Sequence, residues 1–309
     1  MIAEQVLDEL VAEVSGRVDE VSRDVPIARL TTYRIGGPAA VLVRVADVDQ
    51  LLAVARSVQA HELPVLVVGR GSNLLVADRG FPGVAVVLGG QFEDLSIDEA
   101  TATAGGAVAL PVLARRAAGA GRRGLEFYVG IPGSVGGGVR MNAGGHGLAT
   151  ADVIVSAQIV DLASSTRREM TDIDLDFGYR RSAIGPTTVV VAAKFRVEHD
   201  SAATCEERVA EIVRWRREHQ PGGANAGSVF TNPPGDAAGR LIDAAGLRGF
   251  RVGGAEVSSK HANFFQADPG ATATDVYRLV GEIRRRVADR FGIDLIPELQ
   301  MIGFGEDGA

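Results

Sequence analysis

Between Gly130 and Gly147 the chain carries eight glycines in eighteen positions, one proline and a single charged residue, Arg140. So little side chain means that the backbone must approach something closely, or must adopt φ > 0 repeatedly. Bare successive N–H groups also make an anion-binding concavity, which suits a ligand rich in phosphate oxygens. A flexible linker would be polar and serine-rich. This run instead contains Ile131, Val135, Val139 and Met141, so it reads as a packed element.

The 309 residues suffice for two or three domains with a sizeable core. Apolar residues make up 46% of the chain, as expected of an ordinary globular protein. A formal charge of −7, with no basic stripe interleaved with aromatics, argues against a nucleic-acid partner. No apolar run reaches the length of a membrane span, so no membrane partner is expected. The start, Met1-Ile2-Ala3-Glu4-Gln5, lacks a basic region followed by an apolar one, which points to the cytoplasm. The one cysteine, Cys205, cannot form an internal disulfide, and no Cys/His cluster has metal-ligand spacing; no metal is expected. Of 32 basic residues only Lys194 and Lys260 are lysine. Arginine cannot always replace an ammonium point charge, so each is a candidate for inspection.

Along the chain, Val6, Leu7, Leu10, Val11, Val14, Val18 and Val21 predict an amphipathic helix over residues 4 to 21. A strand is expected around Ala40–Val45, then a helix over Val48–His61 with Asp47 as its N-cap. Val65–Val68 reads as a buried strand opening into Gly69-Arg70-Gly71-Ser72-Asn73. Two glycines there begin like a dinucleotide fingerprint. Leu74 stands where the third would be, and Leu74-Leu75-Val76 continues as a strand rather than a helix, so the Rossmann turn fails. No Walker-type lysine is present either. A backbone cradle for a diphosphate and a plain hairpin turn both remain open for this loop.

Further strands are expected at Val84–Leu88, within Thr101–Val108, at Val153–Val160 and at Thr188–Val197, with a helix over Leu110–Gly119. Phe177-Gly178-Tyr179-Arg180-Arg181-Ser182 lies between the last two strands. Past the polar stretch Glu198–Ser201, a charged helix spans Cys205–His219 and breaks at Gln220-Pro221-Gly222-Gly223. Helices over Ala237–Ala245 and Thr274–Phe291 follow, separated by the segment Val252–Phe265, and Asp294–Ile302 is expected as a closing strand. Arg284-Arg285-Arg286 reads as a solvated face.

The second half carries Asn225-Ala226-Gly227-Ser228-Val229-Phe230-Thr231-Asn232-Pro233. Taken with Tyr179-Arg180-x-Ser182, Lys260-His261-Ala262-Asn263-Phe264, Pro297-Glu298 and Thr32-Tyr33-Arg34-Ile35-Gly36-Gly37, this order of motifs resembles the UDP-N-acetylenolpyruvoylglucosamine reductase family. Those enzymes are flavoproteins of bacterial cell-wall synthesis, also called UDP-N-acetylmuramate dehydrogenases. The resemblance runs from about Val25 to Gly303 and includes both glycine-rich loops. It implies an α+β chain, with an FAD-binding unit of the vanillyl-alcohol-oxidase type in two α/β subdomains (about 25–92 and 93–198). An N-terminal helix over 1–24 precedes it and an α+β substrate-binding domain over 199–309 follows.

The resemblance further implies non-covalent FAD, NADPH as hydride donor and a UDP-sugar substrate. Gly69, Arg70, Gly71, Ser72 and Asn73 would bind the cofactor, as would Gly130, Ile131, Pro132, Gly133, Ser134, Gly136 and Gly137. Met141, Asn142, Ala143 and Gly144 would continue along it. Arg180 matches the group that stabilises the enolate of the substrate, where a planar guanidinium suits a carboxylate. Glu298 matches the enol-stabilising acid, a task that requires a raised pKa. Ser228 matches the proton donor to carbon. Tyr179, Asn232, Lys260 and Asn263 match substrate-binding positions. His261 is expected to be structural and Lys194 to face solvent.

Two positions depart from the family pattern: Thr231 stands where many relatives have lysine, and His146 where tyrosine is common. No long insertion follows Tyr179-Arg180, as in the shorter form of the family that lacks an additional tyrosine loop. The rival readings are another FAD-dependent sugar or hydroxy-acid oxidoreductase on the same fold, and a non-catalytic flavin-binding paralogue.

Overall fold

A computed structural model describes residues 4–305. They form two compact units that interleave in sequence. The first takes the chain up to Val25, then Ala39–Arg70 and Pro82–Arg216; the second takes Pro26–Pro38, Gly71–Phe81 and the chain from Arg217.

In the first unit, a four-stranded sheet has the order Glu20–Pro26, Pro38–Val45, Phe81–Leu88, Val65–Val68. The last two strands are parallel, with Val65 opposite Val84. Helix Val48–Ala60 covers the sheet. It starts because Asp47 Oδ1 accepts the Gln50 N–H at 2.8 Å, satisfying one of its orphan donors. Its Leu51, Val54, Ala55 and Val58 are buried at helical spacing, in a core shared with Val41, Val43, Val84 and Val86.

The N-terminal helix is shorter than its apolar spacing suggested, spanning Glu4–Val14. Gly16, at φ 75, turns the chain out of the helix as a left-handed residue after a C-terminus does. Glu20–Pro26 is then an edge strand. Val18 and Val21 still pack on the same core, so their hydrophobic role holds although the helix does not reach them.

The second sheet of this unit is antiparallel, ordered Thr166–Thr171, Ile154–Asp161, Thr188–Arg196, Thr101–Gly105, Leu95–Ile97. The strand Thr166–Thr171 escaped the sequence reading because only Met170 in it is buried. Its charged side chains suit an edge that must not pair further. Helix Leu110–Gly119 buries Leu110, Leu113, Ala114 and Ala117 beneath the sheet. The charged helix Ala202–His219 buries only Cys205, with Val209, Ile212 and Val213 partly covered. Lys194 is exposed, as expected.

Within the glycine run, Ser134 accepts from Gly137 N and caps a six-residue helix, Val135–Arg140. Three consecutive glycines in a helix disfavour it locally, so close packing has to explain them. A Cβ on Gly136 would lie 3.2 Å from Gly106 O and 3.3 Å from Val190 O, and one on Gly138 would lie 3.2 Å from the Leu110 methyls. Of the eight glycines only Gly147 takes a left-handed φ, alongside Asn142 and His146. Close approach accounts for Gly136, Gly138 and Gly144, the last because its Cβ would lie 2.8 Å from Leu148 O, while a left-handed φ accounts for Gly147.

The second unit is built on helix Ala273–Phe291, whose Val276, Leu279, Val280, Ile283 and Val287 form a buried stripe. Thr272 and Asp275 make a reciprocal capping box, and Gly292, at φ 69, ends the helix. Against it lie a three-stranded sheet (Arg251–Val252, Ala255–Val257, Phe265–Ala267) and helix Ala238–Ala244. The segment Gly71–Phe81 belongs here for two reasons. Leu74–Val76 pairs in parallel with Gln300–Ile302. Asp78 also accepts from Ala273 N at 2.8 Å and Thr274 N at 2.9 Å, a second cap on the long helix.

The closing strand is only Gln300–Ile302, not the whole of Asp294–Ile302. Pro297 cannot donate to a ladder, and the stretch before Gln300 is joined to its neighbour by an isolated bridge from Pro297 to Phe230 rather than by a strand. Arg284, Arg285 and Arg286 pair with Asp294, Glu282 and Asp289, the solvated face expected. No helix among the described residues is long and apolar enough to cross a membrane.

Candidate active site

In the first unit the strand Val65–Val68 delivers Gly69 against the glycine run, where a Cβ would stand 2.6 Å from Ser134 Oγ. The two glycine-rich loops therefore meet where Gly69, lacking a Cβ, lies against the Ser134 side chain. Among the described residues, the N–H groups of Arg70, Gly71, Ser72 and Asn73 donate no hydrogen bond. Nor does that of Ser134, because the bridge to Ala109 is made by Leu110 N and Val135 N.

Farther along, the glycine run grips the turn Gly178–Arg181. Arg180 stands at φ 56. Its guanidinium donates to Asn142 O at 3.3 Å and Gly144 O at 3.0 Å, and lies 5.5 Å from the centre of the Tyr179 ring, which is 60% exposed. Asn142 donates its Nδ2 to Gly178 O at 2.9 Å and accepts Ala151 N at 3.0 Å. Ser182 Oγ donates to Arg140 O at 2.8 Å.

Two residues that the sequence did not single out, Thr150 and Tyr128, complete this lattice. Thr150, fully buried, has its hydroxyl 3.1 Å from both Gly138 O and Ala143 O, and accepts from Tyr128 Oη at 2.9 Å. Burial pushes the Tyr128 phenol well up, offset in part by Thr150. A lone threonine after a glycine loop carries no sequence signal. His146 meets Trp215 edge-on at 5.0 Å, and burial lowers its pKa.

In the second unit Gly227, at φ 75, is held by Asn225 Oδ1 at 3.0 Å and presents Ser228. Ser228 forms a bridge with Phe264, while Val229 N donates to Asn263 O at 2.8 Å. On the other side Val229 O accepts from Glu298 N at 2.8 Å. Ser228 and Glu298, seventy residues apart in sequence (228 against 298), are thus set on adjacent, hydrogen-bonded segments.

The other candidates in this unit hold varied posts. Asn263 is 3% exposed, and its amide is committed to the fold: it accepts Phe230 N at 3.0 Å and donates to Phe230 O at 2.8 Å. Asn232 Oδ1 accepts Ala238 N at 3.1 Å at the start of a helix. Lys260 Nζ donates to Arg217 O. His261 Nδ1 accepts Asn263 N at 3.3 Å, a structural contact. Thr231 Oγ1 donates to Ile296 O at 3.2 Å.

Residues 219–302 match the model of the UDP-N-acetylenolpyruvoylglucosamine reductase C-terminal domain, and residues 39–171 match that of an FAD binding domain. The UDP-N-acetylenolpyruvoylglucosamine reductase of Paramagnetospirillum magneticum is 43% identical over 302 residues, covering 97% of each chain. That of Heliobacterium modesticaldum is 43% identical over 281 residues, covering 90% of this chain and 89% of its own. This chain belongs to the UDP-N-acetylenolpyruvoylglucosamine reductase family.

Among solved structures, the crystal structure of the family's enzyme from Thermus caldophilus is similar with a TM-score of 0.80 and 36% identity, covering 92% of this chain and 99% of that one. The fold is the family's: an FAD binding domain followed by a C-terminal domain. Residues of the first unit fit that cofactor: the N–H groups of Arg70 and Ser134 donate to no described residue, beside Gly69, which is too close to Ser134 Oγ to carry a Cβ, and bare N–H groups of this kind suit a diphosphate ester.

Proposed function

We propose that this chain is a cytoplasmic, NADPH-dependent reductase of the enolpyruvyl group of UDP-N-acetylglucosamine enolpyruvate, forming UDP-N-acetylmuramate for peptidoglycan precursor synthesis. The observation that carries the reading is the pairing of the Ser228 segment with the Glu298 segment through Val229. It brings the segment bearing an alcohol and the segment bearing a carboxyl into hydrogen-bonded contact, in a chain that is 43% identical to a family enzyme over nearly its whole length.

FAD, when bound, supplies the hydride, with NADPH as its source. Hydride arriving at the β-carbon of the enol ether pushes an electron pair toward the adjacent carboxylate, and the substrate becomes an enolate dianion. Arg180 meets that charge with a planar fork of donors. Its aim is fixed by the two main-chain carbonyls it already binds. Ser228 gives its proton to the α-carbon; an alcohol is a weak acid, yet an enolate carbon at hydrogen-bond distance is basic enough to take it. Glu298 stabilises the enol as a protonated acid, since an ionised carboxylate would repel a dianion. Tyr179, Asn232 and Lys260 are the substrate-binding groups of this reading, with Lys260 as the ammonium for the diphosphate.

The test is to mix the purified holoenzyme with NADPH and UDP-N-acetylenolpyruvoylglucosamine and follow nicotinamide absorbance. Substrate-dependent loss is expected. A yellow protein that ignores this substrate but oxidises sugar alcohols or hydroxy acids would overturn the reading in favour of another oxidoreductase on the fold.

A further inference from the structure

We propose that Asn142 is the positioning residue for Arg180, an inference that rests on the role given to Arg180 above. Asn142 holds the arginine at both ends. Its side-chain Nδ2 donates to Gly178 O at 2.9 Å, two residues before Arg180, and so fixes the root of the turn. Its main-chain oxygen accepts from Arg180 Nη1 at 3.3 Å, while Gly144 O, two residues on, accepts from Nη2 at 3.0 Å. The side-chain Oδ1 is anchored in turn by Ala151 N at 3.0 Å.

The backbone explains why such a grip is needed. Arg180 stands at φ 56 and Asn142 at φ 43, a region that disfavours L-residues by about 1–2 kcal/mol and persists only where the surroundings over-determine it. Asparagine is among the few residues that tolerate this conformation. It also offers a donor to Gly178 and an acceptor to Ala151 at once. Aspartate would keep the acceptor, lose the donor and place a negative charge near the guanidinium. Glycine would keep the φ and lose both bonds. At 8% exposed, the amide works on the protein and not on solvent.

The two variants Asn142→Gly and Asn142→Asp, made as holoenzymes and again in an Arg180→Lys background, test this by stopped-flow of the two half-reactions. The expected result is that reoxidation by the enolpyruvyl substrate slows about tenfold to a hundredfold, the scale of a misplaced catalytic group, and by clearly more than reduction by NADPH, with FAD still bound. In the Arg180→Lys background the same substitutions should slow reoxidation by less than about threefold, because residues acting through one another are not additive. Full multiplicative losses, or loss of FAD from Asn142→Gly, would overturn the inference and make Asn142 a cofactor contact or a purely structural residue. Arg180→Lys that reoxidises normally would instead sink the role of Arg180 itself.

Discussion

Asn73 donates its side-chain Nδ2 to the main-chain oxygen of Glu298 at 3.0 Å, and its own carbonyl accepts from Gln300 N at 3.0 Å. Asn73 thereby fixes the segment that carries Glu298. Asn73→Ala should lower thermal stability by about 1 kcal/mol, the usual net worth of one such bond. It should also slow substrate-dependent reoxidation more than NADPH-dependent reduction. Equal slowing of both half-reactions would show that Asn73 serves the cofactor alone.

Asp78 caps the long helix from 195 residues away, accepting from Ala273 N, Thr274 N and the Thr274 hydroxyl at 2.6 Å. An N-cap carboxylate removed from a helix typically costs about 0.5–2 kcal/mol. Asp78→Ala should therefore lower the denaturation midpoint by that scale, with helix content unchanged at rest because Thr272 and Asp275 still form their box. Unaltered stability would mean that the local box alone holds the helix.

Some of this architecture was legible in the residues and some was not. Helix Val48–Ala60 was legible through its N-cap Asp47, a signal that lies within one turn of its start, and the long helix Ala273–Phe291 lies within one residue of its expected bounds. Val18 and Val21 misled, because valines four and three apart fit a helix and a packed strand edge alike. The interleaving of Gly71–Phe81 with the C-terminal unit rests on Asp78 and on pairing with Gln300–Ile302, contacts that no local pattern encodes. Site residues fared similarly. Motif order offered Arg180, Ser228 and Glu298 as site candidates and Asn142 as a cofactor contact, but carried no sign that Asn142 and Thr150 brace the loop. Asn263 matched a substrate position by motif, while the structure spends both ends of its amide on Phe230.

Tyr33 is 1% exposed, and among the described residues its hydroxyl has no hydrogen-bond partner; burial pushes the phenol pKa far up. An unsatisfied buried polar group costs about 1–3 kcal/mol. Tyr33→Phe removes only that oxygen and should leave the protein as stable or more so in chemical denaturation, with flavin content unchanged. A clear loss of stability would reveal a partner for the hydroxyl.

Burial, aided by the nearby Arg248, holds the His261 pKa below its ordinary 6.5. The folded state then binds fewer protons than the unfolded chain, so stability falls as pH drops through the unfolded value and levels off below the folded one. Unfolding midpoints measured between pH 8 and about pH 5 should decline on the acid side of 6.5, and His261→Gln should flatten part of that decline. An unchanged slope in the variant would assign it to other groups.

Ser228 supplies the sharpest test of the chemistry. Its neighbours are held by main-chain bonds, Val229 N to Asn263 O and Glu298 N to Val229 O, so Ser228→Ala removes a hydroxyl without loosening the segment. Hydride transfer from NADPH does not need that proton, and flavin reduction should keep its rate. Reoxidation by the enolpyruvyl substrate should fall by about 10²-fold or more, the contribution of a positioned acid. Because the alanine variant lacks the proton but keeps the geometry, substrate KM should change little while kcat collapses. Normal reoxidation would place the proton donor elsewhere, with the carboxyl of Glu298, on the adjacent segment, the first group to substitute in its stead.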